Sequence, residues 1–140
     1  MKIERFEDIK AWQEARALVK MIYEATKSSR SFTGDYRFRD QIHSAAASVM
    51  SNIAEGFSRR TTKEFAQFLF IAKGSVAEVQ SQLYVALDQD YIKEDKFDEL
   101  YAKCDEVARL ISGFIRYLLN KDKPATLNKL NQPNKRKELK

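Results

Sequence analysis

The 140-residue sequence has few chain-breaking residues: four glycines and two prolines, with both prolines, Pro124 and Pro133, beyond position 120. Strands joined by tight turns need more of both, so the shortage excludes an all-β sandwich or barrel and points to long helices. The four glycines, Gly34, Gly56, Gly74 and Gly113, are too dispersed to form a phosphate-cradling loop of either common spacing. A single cysteine, Cys104, excludes an internal disulfide and a cysteine-only zinc site. A single histidine, His43, excludes a multi-histidine metal centre and leaves no spare base for a serine triad within one chain. No stretch approaches the roughly 18 uncharged residues of a membrane span, and the N-terminus lacks a signal-peptide core. A cytoplasmic protein, without cofactor or metal and not an enzyme, is the expectation.

What the sequence does contain is apolar residues at three- and four-residue steps. Ile9, Trp12, Ala15, Val19, Ile22 and Tyr23 mark one stripe, and Phe38, Ile42, Ala45, Val49 and Ile53 a second. Phe65, Phe68, Leu69, Ala72, Val76, Val79, Leu83 and Leu87 form a third, and Phe97, Leu100, Tyr101, Cys104, Val107, Ala108, Ile111, Ile115 and Leu118 a fourth. The spacing predicts an all-α protein with helices over about 8–28, 36–56, 62–89 and 94–120, in an antiparallel up-and-down four-helix bundle spanning 1–120. Segment KSSRSFTGDY breaks the first helix from the second, Gly56 is expected to close the second in a left-handed conformation, and Thr61 with Glu64 has capping-box spacing for the third.

The formal charge of +5 resides in residues 121–140, where seven Lys/Arg face two acids; the first 120 residues carry 18 of each sign. That tail has no apolar period and reads as basic and disordered. In an up-and-down bundle the connection after the second helix lies at the same end as both the N-terminus and the end of the fourth helix. Arg59, Arg60 and Lys63 would then gather with Lys2, Arg5, Arg116, Lys121 and Lys123, offset by Glu4, Glu7, Asp8, Glu64 and Asp122. Together with Lys135, Arg136 and Lys137 of the tail, Arg59, Arg60, Lys63, Arg5 and Lys121 are the candidate nucleic-acid contacts, through phosphates and with little sequence specificity. Few exposed aromatic residues are expected among these arginines, so base stacking is not.

The third helix has more apolar residues than one face needs. Ala66, Phe70, Ala77 and Tyr84 make a separate stripe, Ile71 and Val85 lie on another side, and Met50 leaves the stripe of the second helix with Ala47 and Ala54. Such surplus predicts self-association, with Phe70, Ala77, Tyr84, Met50 and Glu55 at the interface and Gly74 permitting close helix contact. Asn52, Glu55 and Gly56 read as structural: Asn52 at the core boundary in need of partners, Glu55 on the face of Arg37, Ser44, Ser48 and Ser51, placed to bond across helices or with the Arg37 end of a neighbouring chain. Asp40 and His43 share a face and could hold a metal only across an oligomer. Cys104 lies in step with the core.

The stretches FEDIKAWQEARALV, QIHSAAASVMSNIAEGFSRRTTKEFAQFL and IAKGSVAEVQSQLYVA resemble the small four-helix bundle proteins encoded in intervening sequences of large-subunit (23S) ribosomal RNA genes, the S23-like family, over about residues 3–120. The accessory variability protein of diversity-generating retroelements is among the relatives. The resemblance implies a ring-like homopentamer without known enzymatic activity and, for the retroelement relatives, binding of nucleic acid and a reverse transcriptase through a basic surface. A competing expectation is a protein-interaction module, holding a reverse transcriptase or a ribosome-associated partner, without direct nucleic-acid contact. Many members carry a proline where this chain has Val49, Met50 and Ser51, which implies a straighter second helix here.

Overall fold

A computed structural model describes residues 2–121; the tail contacts Lys135, Arg136 and Lys137 lie outside the described residues. A 3-10 turn, Phe6–Asp8, precedes α1 (Lys10–Lys27), the short α2 (Arg30–Gly34), α3 (Tyr36–Phe57), α4 (Thr62–Asp88) and α5 (Glu94–Lys121), with no strand among the described residues. The four long helices form a four-helix bundle in which α3 packs on α1 and α4, and α5 packs on α4 and α1. One apolar core runs through it, with Leu18, Ile22, Ile42, Ile53, Leu69, Leu83, Leu100 and Ile111 buried.

Three of these helices start where a side chain satisfies an otherwise unpaired amide. Ser29 accepts from the Phe32 amide, Asp35 from the Phe38 amide, and Thr61 from the Glu64 amide at 3.1 Å. Only the hydroxyl half of the expected capping box is present at Thr61. α3 runs unbroken through Val49, Met50 and Ser51.

Several expectations are corrected. The breaker segment before α3 folds into α2, and its Phe32 is 1% exposed, packed against Phe38 and Tyr91 with ring centroids 5.6 and 5.4 Å away. The buried face of α1 is rotated: Ala11, Ala15, Leu18, Ile22 and Ala25 face the core. Trp12 instead meets the edge of Phe6 at 5.1 Å, and Tyr23 stacks on His43 at 3.9 Å.

Gly56 does not close a helix by left-handed geometry: it lies inside α3, and no glycine among the described residues has positive φ. A Cβ there would lie 2.8 Å from Phe65 Cδ1 and 2.9 Å from Phe68 Cβ, so the glycine is required for close approach of α3 to α4. The left-handed stop occurs at Asp90 (φ 61°), after which the Tyr91 amide donates to Ala86 O at 2.8 Å. Ala66, placed on the surplus stripe by its spacing, is buried.

His43 is committed to the fold. Its Nε2 lies 2.9 Å from Thr26 Oγ1, whose hydroxyl donates to Ile22 O; with that one hydrogen used, Nε2–H is the donor to Thr26. Burial and then the nearby Arg39 charge push the ring below its ordinary pKa, with Asp40 opposing. The unfolded chain therefore takes up this proton first as pH falls. Stability is expected to be flat above about pH 6.5, the ordinary histidine value, and to decline below it towards the lowered pKa. Melting curves between pH 5 and 8 check this, and His43→Gln should flatten that part of the profile.

Candidate nucleic-acid interface

The N-terminal segment, the α3–α4 connection and the last turns of α5 meet at one end of the bundle. Two of the three are locally fixed. The Asp8 carboxylate accepts from the Glu4 and Arg5 amides at 3.0 and 3.1 Å, and Gln13 Nε2 donates to Glu7 O at 2.9 Å, which ties the N-terminal segment to the start of α1. At the connection, Ser58 Oγ donates to Glu55 O at 2.7 Å, and Thr61 starts α4.

Between these segments lies an open groove of about 540 Å³. Lys2, Arg59, Arg60 and Lys121 supply its charge, and no acidic residue among the described residues lines it. Its floor is apolar, with Ile3, Phe57, Phe65, Phe114, Tyr117 and Leu118. Thr61 and Thr62, at the positive end of the α4 dipole, complete the lining.

Of the expected phosphate contacts, Arg59, Arg60 and Lys121 come together here with Lys2, whereas Arg5 and Lys63 do not line the groove. Arg5 is turned to Glu7, 2.7 Å away, and this pairing raises its pKa. Arg59 is partly occupied: its guanidinium meets Glu55 at 2.8 Å and sits 4.6 Å from the centre of the Phe68 ring. Within the subunit, among the described residues, Glu55 thus pairs with Arg59 of its own corner. Arg60 and Lys121 make no ion pair among the described residues. Arg116 lines a different shallow groove, with Lys73, Asp105 and Arg109.

Sequence reasoning missed the aromatic floor. Phe57, Phe65, Phe114 and Tyr117 form a continuous row with centroid separations of 6.1, 5.4 and 5.9 Å, ending in Tyr117, which is 56% exposed. Among the described aromatic residues that line the groove, Tyr117 alone is exposed, and the three rings behind it are half-buried. A signal was available, because Tyr117 falls outside the α5 stripe of Ile111, Ile115 and Leu118 and stands one helical turn before Lys121.

The remaining candidates occupy other places. Asn52 Nδ2 donates to Ser48 O at 2.8 Å and to Ser48 Oγ at 3.0 Å, and Ser48 Oγ lies 3.0 Å from Ser75 Oγ, a polar seam between α3 and α4. On α4, Phe70 is 55% and Tyr84 51% exposed; Tyr84 also packs on Phe97 and Tyr101. Ala77 is exposed, and Met50 is half-buried against the core. Apart from the surrounding turns of α4 itself, nothing among the described residues lies within 4 Å of a Cβ at Gly74. Burial pushes the Cys104 thiol up to about 12, so it stays protonated at neutral pH. No group of three or more metal-ligating side chains occurs among the described residues, and no helix there is long and apolar enough to cross a membrane.

No curated protein matches the chain significantly. A crystal structure of a protein of unknown function from the S23 ribosomal protein family of Bacteroides thetaiotaomicron is similar in fold, with a TM-score of 0.69 at 18% identity, covering 75% of this chain and 97% of that one. The sequence profile of the 23S rRNA-intervening sequence proteins matches residues 7–113. With more than half of its length matched, the chain belongs to the 23S rRNA-intervening sequence protein family.

Proposed function

We propose that this chain is a non-enzymatic, cytoplasmic accessory protein that assembles into a homo-oligomer, a pentamer, and binds RNA or DNA through phosphates with little sequence specificity. The observation that carries the proposal is the groove at the bundle end, where Lys2, Arg59, Arg60 and Lys121 converge with no acidic residue in the lining among the described residues. A monomer offers four cations; a ring of subunits repeats them and so multiplies weak interactions. The family's link to ribosomal RNA genes favours the same class of ligand.

Self-association is supported by the outer face of α4. Phe70, Gly74, Ala77 and Tyr84 lie on one side of the helix, two aromatic rings flanking small residues, and Phe70 and Tyr84 are half exposed. An antiparallel course of the four long helices is part of the reading: Gly56 and Ser48 of α3 lie opposite Phe65 and Ser75 of α4, so partners converge on the connection between them.

Anisotropy titrations of labelled RNA and DNA at several salt concentrations test the binding. Affinity should fall linearly with salt on logarithmic axes, and Arg60→Ala with Lys121→Ala should make that slope shallower by about two, close to one for each phosphate that is no longer neutralised. Absence of binding at ~50 mM salt would overturn the proposal and leave a protein-interaction module, which the α4 face also favours. Light scattering tests assembly. Five subunits are expected, a monomer at tens of micromolar would defeat the assembly reading, and Phe70→Glu should shift the population to monomers without unfolding them, because that ring is 55% exposed.

A further inference from the structure

We propose that the groove is a site for single-stranded nucleic acid, in which an unpaired base stacks on Tyr117 while the adjoining phosphates are held by Arg60 and Lys121. This rests on the nucleic-acid reading above and narrows it from any phosphate backbone to one with accessible base faces.

Charge alone does not account for the lining. A site that only neutralises phosphates needs cations on a solvated surface, yet this one sets them around an aromatic floor. The row Phe57, Phe65, Phe114, Tyr117 opens to solvent at its end: the first three rings are half-buried and Tyr117 is 56% exposed. Tyr117 lies nearly parallel to Phe114, at 16° and 5.9 Å between centroids, so a flat ring placed on its far side continues an existing stack.

The geometry around Tyr117 favours an entering base. Tyr117, Phe114 and Ile3 line both the basic groove and a neighbouring, mainly apolar one of about 360 Å³ formed with Ile9, Leu110 and Gly113. The tyrosine is thus a ridge between a charged trough and one that is apolar apart from Asp8, Lys10 and Arg109 in its lining, matched to a nucleotide whose phosphate and base need opposite surroundings. The volume of the basic groove, about 540 Å³, is within the range of small-molecule sites. Arg60 and Lys121 make no ion pair among the described residues, whereas Arg59 is held by Glu55 and Phe68 and serves as wall. Within a duplex the base faces are covered by their neighbours, so the ring can engage unpaired bases only.

The test uses the full chain and two probes, a fluorescein-labelled single-stranded 12-mer and a hairpin duplex of the same composition, at ~50 mM salt. A third probe is the single strand carrying 2-aminopurine, whose emission is quenched by stacking. The wild type should bind the single strand more tightly than the duplex and quench the 2-aminopurine. Tyr117→Ala should weaken single-strand binding by about fivefold to 150-fold, the range for one base stacked on an aromatic ring, and leave duplex binding unchanged. Tyr117→Phe should restore both affinity and quenching, which a merely structural role for the side chain does not require. Equal binding of the two probes, unquenched 2-aminopurine, or an unaffected Tyr117→Ala protein would overturn the inference while a salt-dependent duplex affinity leaves the broader reading standing. Displacement of the strand by polyglutamate with no dependence on Tyr117 would do the same and assign the groove to charge alone. If neither probe binds the wild type at ~50 mM salt, both readings fall.

Discussion

A Phe32→Ala protein is expected to lose about 3–5 kcal/mol of stability, the cost of deleting a fully buried aromatic side chain. Phe32 is 1% exposed although it sits in a five-residue helix between two long ones. Its ring closes a three-membered cluster with Phe38 of α3 and Tyr91, which precedes α5, and Tyr91 in turn donates to the Asp35 carboxylate at 2.6 Å. Removing the ring therefore empties the place where α2, the start of α3 and the approach to α5 are held together. Urea denaturation checks this, with a lower midpoint and little change in slope if the folded state stays compact. A loss below about 1 kcal/mol would mean that the site collapses or that α2 is not docked.

Gly56→Ala should cost stability where an alanine in a helix ordinarily adds it. Helix propensity favours the substitution by about 1 kcal/mol, but the new methyl would lie 2.8 and 2.9 Å from atoms of Phe65 and Phe68. Overpacking of this kind costs about 1–3 kcal/mol, and the two side chains are poorly free to retreat: Phe65 is packed against Phe57 and Phe114, and Phe68 lies under the Arg59 guanidinium. The expected net effect is a loss of up to about 2 kcal/mol, read as a lower melting temperature. The opposite sign is expected at Gly74, where an added methyl meets no neighbouring element among the described residues; Gly74→Ala should stabilise the isolated subunit by about 1 kcal/mol.

These residues also show which features could be read from sequence. The four long helices were legible because their apolar stripes persist over about twenty residues, and two of them start at a capping side chain, Asp35 and Thr61. Phe32 was not, because one apolar residue among Ser, Arg, Thr and Gly has no period, and its burial depends on Tyr91, far along the chain. Gly56 has the composition of a helix stop, and only the approach of α4 shows that it is a gap left for two phenylalanines. The rotation of α1 has a similar origin: Trp12 and Tyr23 fit the helical period as well as Ala11 and Leu18 do, but Phe6 and His43 offer them partners at the rim. At the candidate interface, charge was legible as a gathering of arginines and lysines at one end. Which of them are free was not, since Glu55 and Glu7 lie close enough in sequence to take Arg59 and Arg5. The aromatic floor was hidden because Phe65 and Phe114 serve the core and the groove together.

The pairing of Trp12 with Phe6 has a practical consequence. Trp12 is the only tryptophan in the chain, and the turn it leans on leads directly from the segment that carries Lys2 and Ile3 into the groove. Indole emission in this protein is thus a local optical signal, reporting whether one wall of the groove is seated as much as whether the bundle is folded. If that segment lifts before the helices separate, fluorescence will change ahead of helical circular dichroism, and a ligand that seats the wall will bring the two curves together.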